Sequence, residues 1–110
     1  MSTTLIAIED MTMLRAAVIE NRTNNSVFAG MKAMMIEQLK EKMRNGVAHF
    51  VYLKKDGSLR EAFGTLNRAL IDNYINNSGV SREKYQCTAY FDIQACGFRS
   101  FRWENIVSIL

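Results

Sequence analysis

The first 45 residues carry apolar side chains at the three- and four-residue spacing of an α-helix. The first apolar face comprises Met11, Leu14, Ala17 and Val18. Asp10 or Thr12 is the predicted N-cap, because either side chain can accept a hydrogen bond from a free backbone N–H group. We predict that this helix ends near Glu20 and that the polar residues 21–26 form a turn.

A second helix is predicted after this turn, with Ser26 as its N-cap and Asn45-Gly46 as its end. Its apolar face comprises Phe28, Met31, Met34, Met35, Leu39 and Met43. We expect Gly46 to adopt the left-handed conformation that ends many helices. We predict that the methionine-rich face packs into the core, and the alternative is an adaptable groove for a partner.

The chain beyond residue 46 is typical of β-structure, since it holds every aromatic residue except Phe28. Residues 47–55 and 58–66 are predicted strands. They flank Asp56-Gly57, a dipeptide typical of the two-residue type I′ hairpin. A short helix is predicted over residues 68–76, ended by Asn77-Ser78-Gly79.

A second hairpin and a last strand complete the pattern. Residues 85–93 and 98–103 flank a loop at 94–97, and residues 105–110 form the last strand. Five short strands favour a small barrel, in which sheet edges are removed by closure. The predicted fold is therefore α+β, with a helical N-terminal segment (residues 1–45) packed on a small antiparallel β-barrel (residues 46–110) that has a short helical insertion. The two parts form one compact domain.

Composition narrows the class of protein. An apolar fraction of 48% is enough for a core and argues against intrinsic disorder. The formal charge of +3 is small for a duplex-DNA binder. No apolar run approaches the roughly 18 residues of a membrane span. Glu9 and Asp10 stand where a signal peptide would be apolar, so we expect a soluble, cytoplasmic protein without a membrane partner.

Residues with catalytic or metal-binding chemistry are few and scattered. The single histidine, His49, alternates in step with Val47 and Val51, which favours a half-buried core residue. Cys87 and Cys96 lack the spacing of a zinc site, and we expect one packed thiol and one turn thiol. Neither a nucleophile motif nor a glycine-rich phosphate loop occurs. We predict that the protein is not an enzyme and has no metal and no cofactor.

A cluster of cations and aromatic rings is the most distinctive chemical pattern. The predicted ligand- or nucleic-acid-binding residues are Arg99, Arg102, Trp103, Tyr52, Lys54, Lys55 and Arg60. Arg99 and Arg102 would bind phosphate or carboxylate, the two rings would stack, and the other cations would attract a phosphate backbone. The alternative is that both arginines are structural and pair with Glu104, Asp92 or Glu61.

Residues 50–65 (FVYLKKDGSLREAFGT) and 98–106 (FRSFRWENI), together with Tyr90-Phe91-Asp92, resemble a small WYL-related family of bacterial and phage proteins whose activity is uncharacterised. The resemblance covers about residues 46–110 and implies a Sm-like, SH3-type β-barrel. Residues 99–106 match the WYL pattern R-T-F-R-L-D-R-I at its first, third, fourth and last positions. The chain departs from WYL domains at Gln86-Cys87-Thr88, where the W-Y-L tripeptide is expected, and at Asn105, where they have arginine. It also lacks the helix-turn-helix module of WYL regulators.

WYL domains sense ligands, nucleic acid among them, and the resemblance implies a similar role here. The leading hypothesis is a non-enzymatic, regulatory binding module that contacts single-stranded nucleic acid or a small anionic ligand. The alternative is a self-associating adaptor, a homo-oligomer without a nucleic-acid role, that uses the methionine-rich helix and the sheet edges.

Overall fold

Two antiparallel helices form the N-terminal part of the chain. The computed structural model describes residues 3–73 and 86–110, with side chains from residue 11 onward. Helix α1 spans Thr3–Thr23 and helix α2 spans Ser26–Asn45. Asn24 lies between them at φ 55°, and its N–H donates to the carbonyl of Glu20 at 2.8 Å. This is the left-handed termination that Asn tolerates better than most residues.

The predicted helix ends need four corrections, the first being that α1 continues through residues 21–23, which the sequence predicts as turn. Helix α1 runs through Asp10 and Thr12 because no glycine or proline interrupts residues 3–23, so neither residue is its N-cap. The N-cap of α2 is Asn25, whose side chain accepts from the Phe28 N–H at 3.1 Å, and Ser26 is the first helical residue. Gly46 has φ 167°, which is extended backbone, so the predicted left-handed end of α2 was wrong.

In the part of the chain that the structure describes, five antiparallel strands follow α1 and α2. They are β1 (Val47–Leu53), β2 (Leu59–Thr65), β3 (Cys87–Asp92), β4 (Gly97–Arg102) and β5 (Ile106–Ile109), in the sheet order β4-β3-β2-β1-β5. A single 3₁₀ turn, Trp103–Asn105, joins β4 to β5. The α+β class is confirmed, although the sheet is not closed, since β4 and β5 are its two outer strands.

The inserted helix α3 spans Arg68–Asp72, and Asn67 caps it by accepting from Ala69 N–H at 3.0 Å. Asn73 is its C-cap. Residues 74–76 of the predicted helix, its end at 77–79, and Tyr85, where the next strand is predicted to start, lie outside the described residues. Trp103 was predicted at the end of a strand and instead begins the 3₁₀ turn.

The β1–β2 hairpin lies where the sequence predicts it, but its turn is of another type. Lys54 N–H donates to the Ser58 carbonyl at 2.7 Å, and Gly57 N–H donates to the Lys54 carbonyl at 2.9 Å. Gly57 has φ 88°, whereas Asp56 is not in the left-handed region that a type I′ turn requires. The loop is therefore a three-residue turn with a glycine bulge, and the type I′ prediction was wrong.

The sheet curls until its non-neighbouring strands β1 and β4 meet in the interior. The rings of Tyr52 and Phe101 stack there with centroids 4.9 Å apart, and Phe50 meets Tyr90 edge to face at 5.0 Å. All four rings are buried. Gly64 of β2 permits this packing, since a Cβ at that position would lie 2.5 Å from Cδ2 of Tyr90.

The interior face of β1 consists of Ala48, Phe50 and Tyr52, all at most 4% exposed. His49 lies on the opposite face, as its alternation predicts, but this face is the half-exposed one. Its ring stacks on Phe63 at 4.2 Å, and its Nε2 lies 2.6 Å from Oε1 of Glu61. His49 is therefore half-buried as predicted, but outside the core.

Helix α2 packs on the sheet through a face that matches the predicted one only in part, since Leu39 and Met43 are buried and Met35 packs against the core. Its buried residues are Ala29, Ala33, Ile36, Leu39 and Met43, and they share one hydrophobic cluster with the barrel interior. Val27, Phe28, Met31 and Met34 are each more than half exposed. At positions 29 and 33 the small alanines let the helix approach its neighbours closely, which a larger side chain there would prevent. The core prediction was therefore wrong for Phe28, Met31 and Met34.

Candidate functional site

A cleft of about 380 Å³ opens where the β1–β2 hairpin faces β4 and the 3₁₀ turn. The hairpin side contributes Leu53, Lys54 and Lys55, and the opposite side contributes Ser100, Arg102, Glu104 and Asn105. Tyr52, Phe101 and Cys87 complete the lining. The curl of the sheet creates this cleft, because the stacked rings of Tyr52 and Phe101 bring β1 against β4.

The backbone on both sides of the cleft is well fixed. The hairpin hydrogen bonds at Lys54 hold the two lysines at the end of β1. Asp56 stabilises the same turn, since its carboxylate accepts from both the hydroxyl and the N–H of Ser58, at 2.6 and 2.9 Å. These hydrogen bonds lower the pKa of Asp56 below its ordinary value. Arg102 is the last residue of β4, where it pairs with Cys87 of β3.

Among the described residues, three cations and one carboxylate line the cleft. The cations are Lys54, Lys55 and Arg102, and all three are exposed. Within residues 11–73 and 86–110, no ion pair of these three side chains occurs. The cleft is therefore electropositive and open to solvent.

The carboxylates that could have paired with the arginines of β4 have other partners. Glu104 accepts from Arg22 of α1 at 2.5 Å, and the buried carboxylate of Asp92 lies 2.7 Å from Nη2 of Arg60. Glu61 lies beside His49. Within the described part of the chain, neither Arg99 nor Arg102 therefore forms the ion pair that the structural alternative requires.

Arg60 lies outside the cleft. It joins β2 to β3 through an ion pair with the carboxylate of Asp92. The hydrogen bond to Asp92 raises the pKa of Arg60. Burial alone would raise the pKa of Asp92, but the hydrogen bonds from Arg60 and from the Ala95 N–H outweigh burial and hold this pKa below its ordinary value. The predicted role of Arg60 in backbone attraction does not fit this pair, in which the carboxylate of Asp92 is buried.

The two predicted stacking residues have no exposed ring face. Trp103 is 0% exposed, and the guanidinium carbon of Arg15 lies 5.8 Å from its ring centroid. Tyr52 is 4% exposed, and its hydroxyl lies 2.8 Å from that of Tyr90. Strand alternation turns Tyr52 inward with Phe50, so its ring forms the floor of the cleft. The stacking roles predicted for Trp103 and Tyr52 are therefore corrected.

Arg99 is exposed on β4 and is not a lining residue of the cleft. The structure thus brings together Tyr52, Lys54, Lys55 and Arg102 from the predicted site, and leaves out Arg60, Arg99 and Trp103. Sequence reasoning missed Ser100, Asn105 and the position of Glu104 in the cleft. No local pattern marks them, since they face the lysines only because the sheet curls.

Other reactive groups are dispersed. Cys87 is half-buried in β3 and Cys96 is exposed in the β3–β4 loop, and the two do not form a disulfide bond. Across the described part of the chain, no three His, Cys, Asp or Glu side chains are grouped so that they could hold a metal ion. No helix among the described residues has the length and apolar character needed to cross a membrane.

Comparison with known proteins supports the barrel. The model of the WYL_2 family, described as a Sm-like SH3 beta-barrel fold, matches residues 36–107. The match begins within α2, ends within β5 and includes every residue of the cleft. No curated protein and no solved structure matches the chain. Because the matched segment covers more than half of the sequence, the chain belongs to the WYL_2 family, as its resemblance to WYL-related proteins predicts.

Proposed function

We propose that the protein is a non-enzymatic, cytoplasmic binding module whose cleft holds the phosphate or another anionic group of its ligand. The observation that supports this most strongly is the convergence of Lys54, Lys55 and Arg102 without an ion-pair partner in the described part of the chain. Like charges that face one another across a cleft repel, and a bound anion relieves that repulsion.

The three cations suit complementary tasks. The planar guanidinium of Arg102 can donate two parallel hydrogen bonds to one phosphate or carboxylate. Lys54 and Lys55 present ammonium groups on flexible stems, which attract charge with little geometric demand. Ser100 and Asn105 add neutral hydrogen-bonding groups to the lining. This set favours recognition of an anion by charge and hydrogen bonding.

The buried rings favour an anionic group over a stacked base as the part of the ligand that is recognised. Stacking on an aromatic side chain contributes on the order of 1–3 kcal/mol per base, and it requires an accessible ring face. Trp103 and Tyr52 offer none. A single strand would therefore bind through its phosphates, with modest affinity and little dependence on base sequence.

Fluorescence anisotropy tests this function. The probe is a short, labelled oligothymidylate, titrated at several salt concentrations, with inorganic phosphate and pyrophosphate as competitors. Binding to a single strand should weaken with salt by a log–log slope of about 0.7 per phosphate contact, so three cations predict a slope of roughly 2. Isothermal titration calorimetry with pyrophosphate alone covers the other case. Binding of pyrophosphate without binding of the oligonucleotide would identify a small anion as the ligand.

Substitutions then test whether binding takes place in the cleft. Lys54→Gln and Arg102→Gln should each weaken binding about three- to tenfold, because each removes one charged contact. Arg99→Gln is the matched control, since Arg99 is an exposed arginine of the same strand outside the cleft. The proposal fails if neither probe binds at low salt, or if Arg99→Gln weakens binding as much as Arg102→Gln.

The exposed face of α2 favours self-association as a second candidate function. Val27, Phe28, Met31 and Met34 are 71%, 53%, 58% and 59% exposed within about two helical turns. Contiguous exposed apolar side chains of this kind mark many interaction surfaces. A second copy of the chain could cover this face with the same residues, which is the symmetry of most homodimers.

Sedimentation velocity over a range of concentrations tests self-association. The expected result is a mass that rises with concentration in the native protein and stays that of a monomer in Met31→Lys. Arg102→Gln should assemble like the native protein. A native protein that remains monomeric at high micromolar concentration would exclude this function.

A further inference from the structure

The cleft contains a carboxylate whose negative charge opposes the binding of an anion. Glu104 is the single acidic residue among the described lining residues, and its side chain is 13% exposed. A free carboxylate at this position would attract the cleft's lysines and Arg102 and would repel an incoming anion. How Glu104 is held therefore decides the charge that a ligand encounters.

Arg22 of α1 holds this carboxylate. Its Nη1 lies 2.5 Å from Oε1 of Glu104, and its Nη2 donates to the side-chain oxygen of Gln86. Arg22 stands in the last turn of α1, 82 residues before Glu104 in the sequence, and it does not line the cleft. Its guanidinium thus neutralises Glu104 from the helical side, without occupying the place of a ligand.

Two further contacts fix the helices against the 3₁₀ turn. Lys32 of α2 donates from Nζ to the backbone carbonyl of Glu104 at 2.7 Å. Arg15 of α1 lies over the ring of Trp103, the first residue of the turn, and pairs with Glu37 of α2 at 2.5 Å. The turn is therefore held from both helices, and Arg22 meets Glu104 in a defined geometry.

We propose that Arg22 is a positioning residue that sets the charge of the cleft by holding Glu104 away from Lys54, Lys55 and Arg102. The inference rests on the proposed anion binding and extends it. Arg22 precedes the segment that matches the WYL_2 family, so this control comes from a part of the chain outside the matched segment. Without Arg22, Glu104 becomes an internal competitor of the ligand.

A double-mutant cycle tests the inference, with binding of labelled oligothymidylate and of inorganic pyrophosphate as the readouts. Arg22→Gln should weaken binding about three- to tenfold, because it frees one negative charge within a few ångströms of the cleft. Glu104→Gln should bind at least as tightly as the native protein. The double variant, Arg22→Gln with Glu104→Gln, should recover native affinity, because no charge is left to compete.

Thermal unfolding of the same four proteins shows whether a variant binds weakly because the charge of the cleft has changed or because the fold is destabilised. A purely structural role of Arg22 predicts that the double variant binds as weakly as Arg22→Gln, and this result would overturn the inference. Equal binding by Arg22→Gln and the native protein would overturn it as well, while the proposed function would stand. If the native protein binds neither probe, the proposed function fails and the inference fails with it.

Discussion

Gly64→Ala introduces a single methyl group at the tightest point of the barrel. The new Cβ would lie 2.5 Å from Cδ2 and 3.2 Å from Cε2 of Tyr90, and 3.0 Å from Cε1 of Phe50. Carbon atoms in favourable contact are about 3.5–4.0 Å apart, so the closest overlap is roughly 1 Å. The ring of Tyr90 must therefore move, or β2 must separate from its neighbours.

Neither movement is easy. Tyr90 is 0% exposed, its ring meets Phe50 edge to face, and its hydroxyl lies 2.8 Å from that of Tyr52. Overpacking of this kind costs about 1–3 kcal/mol. Replacing glycine also restricts the unfolded chain, which offsets about 0.4–1 kcal/mol of that cost. We expect a net loss of about 1–2 kcal/mol in the free energy of unfolding.

Urea unfolding followed by far-UV circular dichroism and by the fluorescence of buried Trp103 measures this loss. A matched control is Gly30→Ala, since a Cβ at Gly30 has no neighbour within 4 Å. Gly30 lies inside α2, where alanine should stabilise the protein by up to about 1 kcal/mol. The reasoning is refuted if Gly64→Ala is as stable as the native protein, or if the two substitutions change stability in the same direction.

Two further predictions concern the buried polar pairs of the barrel. The pKa of Asp92 is depressed in the folded protein, so its ion pair with Arg60 stabilises the fold above the ordinary carboxyl pKa and this contribution is lost as pH falls below about 4. Unfolding free energies measured against pH should therefore decline more steeply in the native protein than in Asp92→Asn, and parallel curves would contradict the assignment. Tyr52→Phe should lower the free energy of unfolding by about 1 kcal/mol, since it removes a hydrogen-bond partner from the buried hydroxyl of Tyr90. An unchanged urea midpoint would show that this hydroxyl pair contributes nothing.

Local chemistry was enough to predict the order of helices and strands. Glycine and asparagine marked the ends of elements, and β-rich runs flanked the Asp56-Gly57 turn as expected. The predicted turn type was wrong because the carboxylate of Asp56 accepts hydrogen bonds from Ser58, and these stabilise a three-residue loop instead. Such a preference depends on a side chain two residues away, and the dipeptide alone does not show it.

The orientation of helix faces depended on packing that the sequence does not show. Hydrophobicity favoured the methionine face of α2 as core, but Ala29 and Ala33 lie at the contact because they allow close approach. Met31 and Met34 were left exposed. The size of the apolar side chains was thus a better guide than their number to which face of α2 is buried.

The candidate site was only partly predictable for a similar reason. Composition identified cations near the hairpin and on β4, and the structure places Lys54, Lys55 and Arg102 in one cleft. The cations that belong to the cleft could not be distinguished from Arg60, because its pairing with Asp92 depends on the β2–β3 contact. The contribution of α1 to the site could not be predicted for the same reason, since Arg22 contacts Glu104, which lies 82 residues later in the sequence.

The most direct test of anion binding in the cleft is a titration of isotope-labelled protein with pyrophosphate, followed by backbone amide chemical shifts. The shifts should change at Lys54 and Lys55 on one side of the cleft and at Arg102 and Asn105 on the other, and should saturate together with one dissociation constant. Arg99, on the same strand outside the cleft, should respond weakly. Changes that centre on Arg99, or no saturable change in the cleft at low salt, would contradict the account.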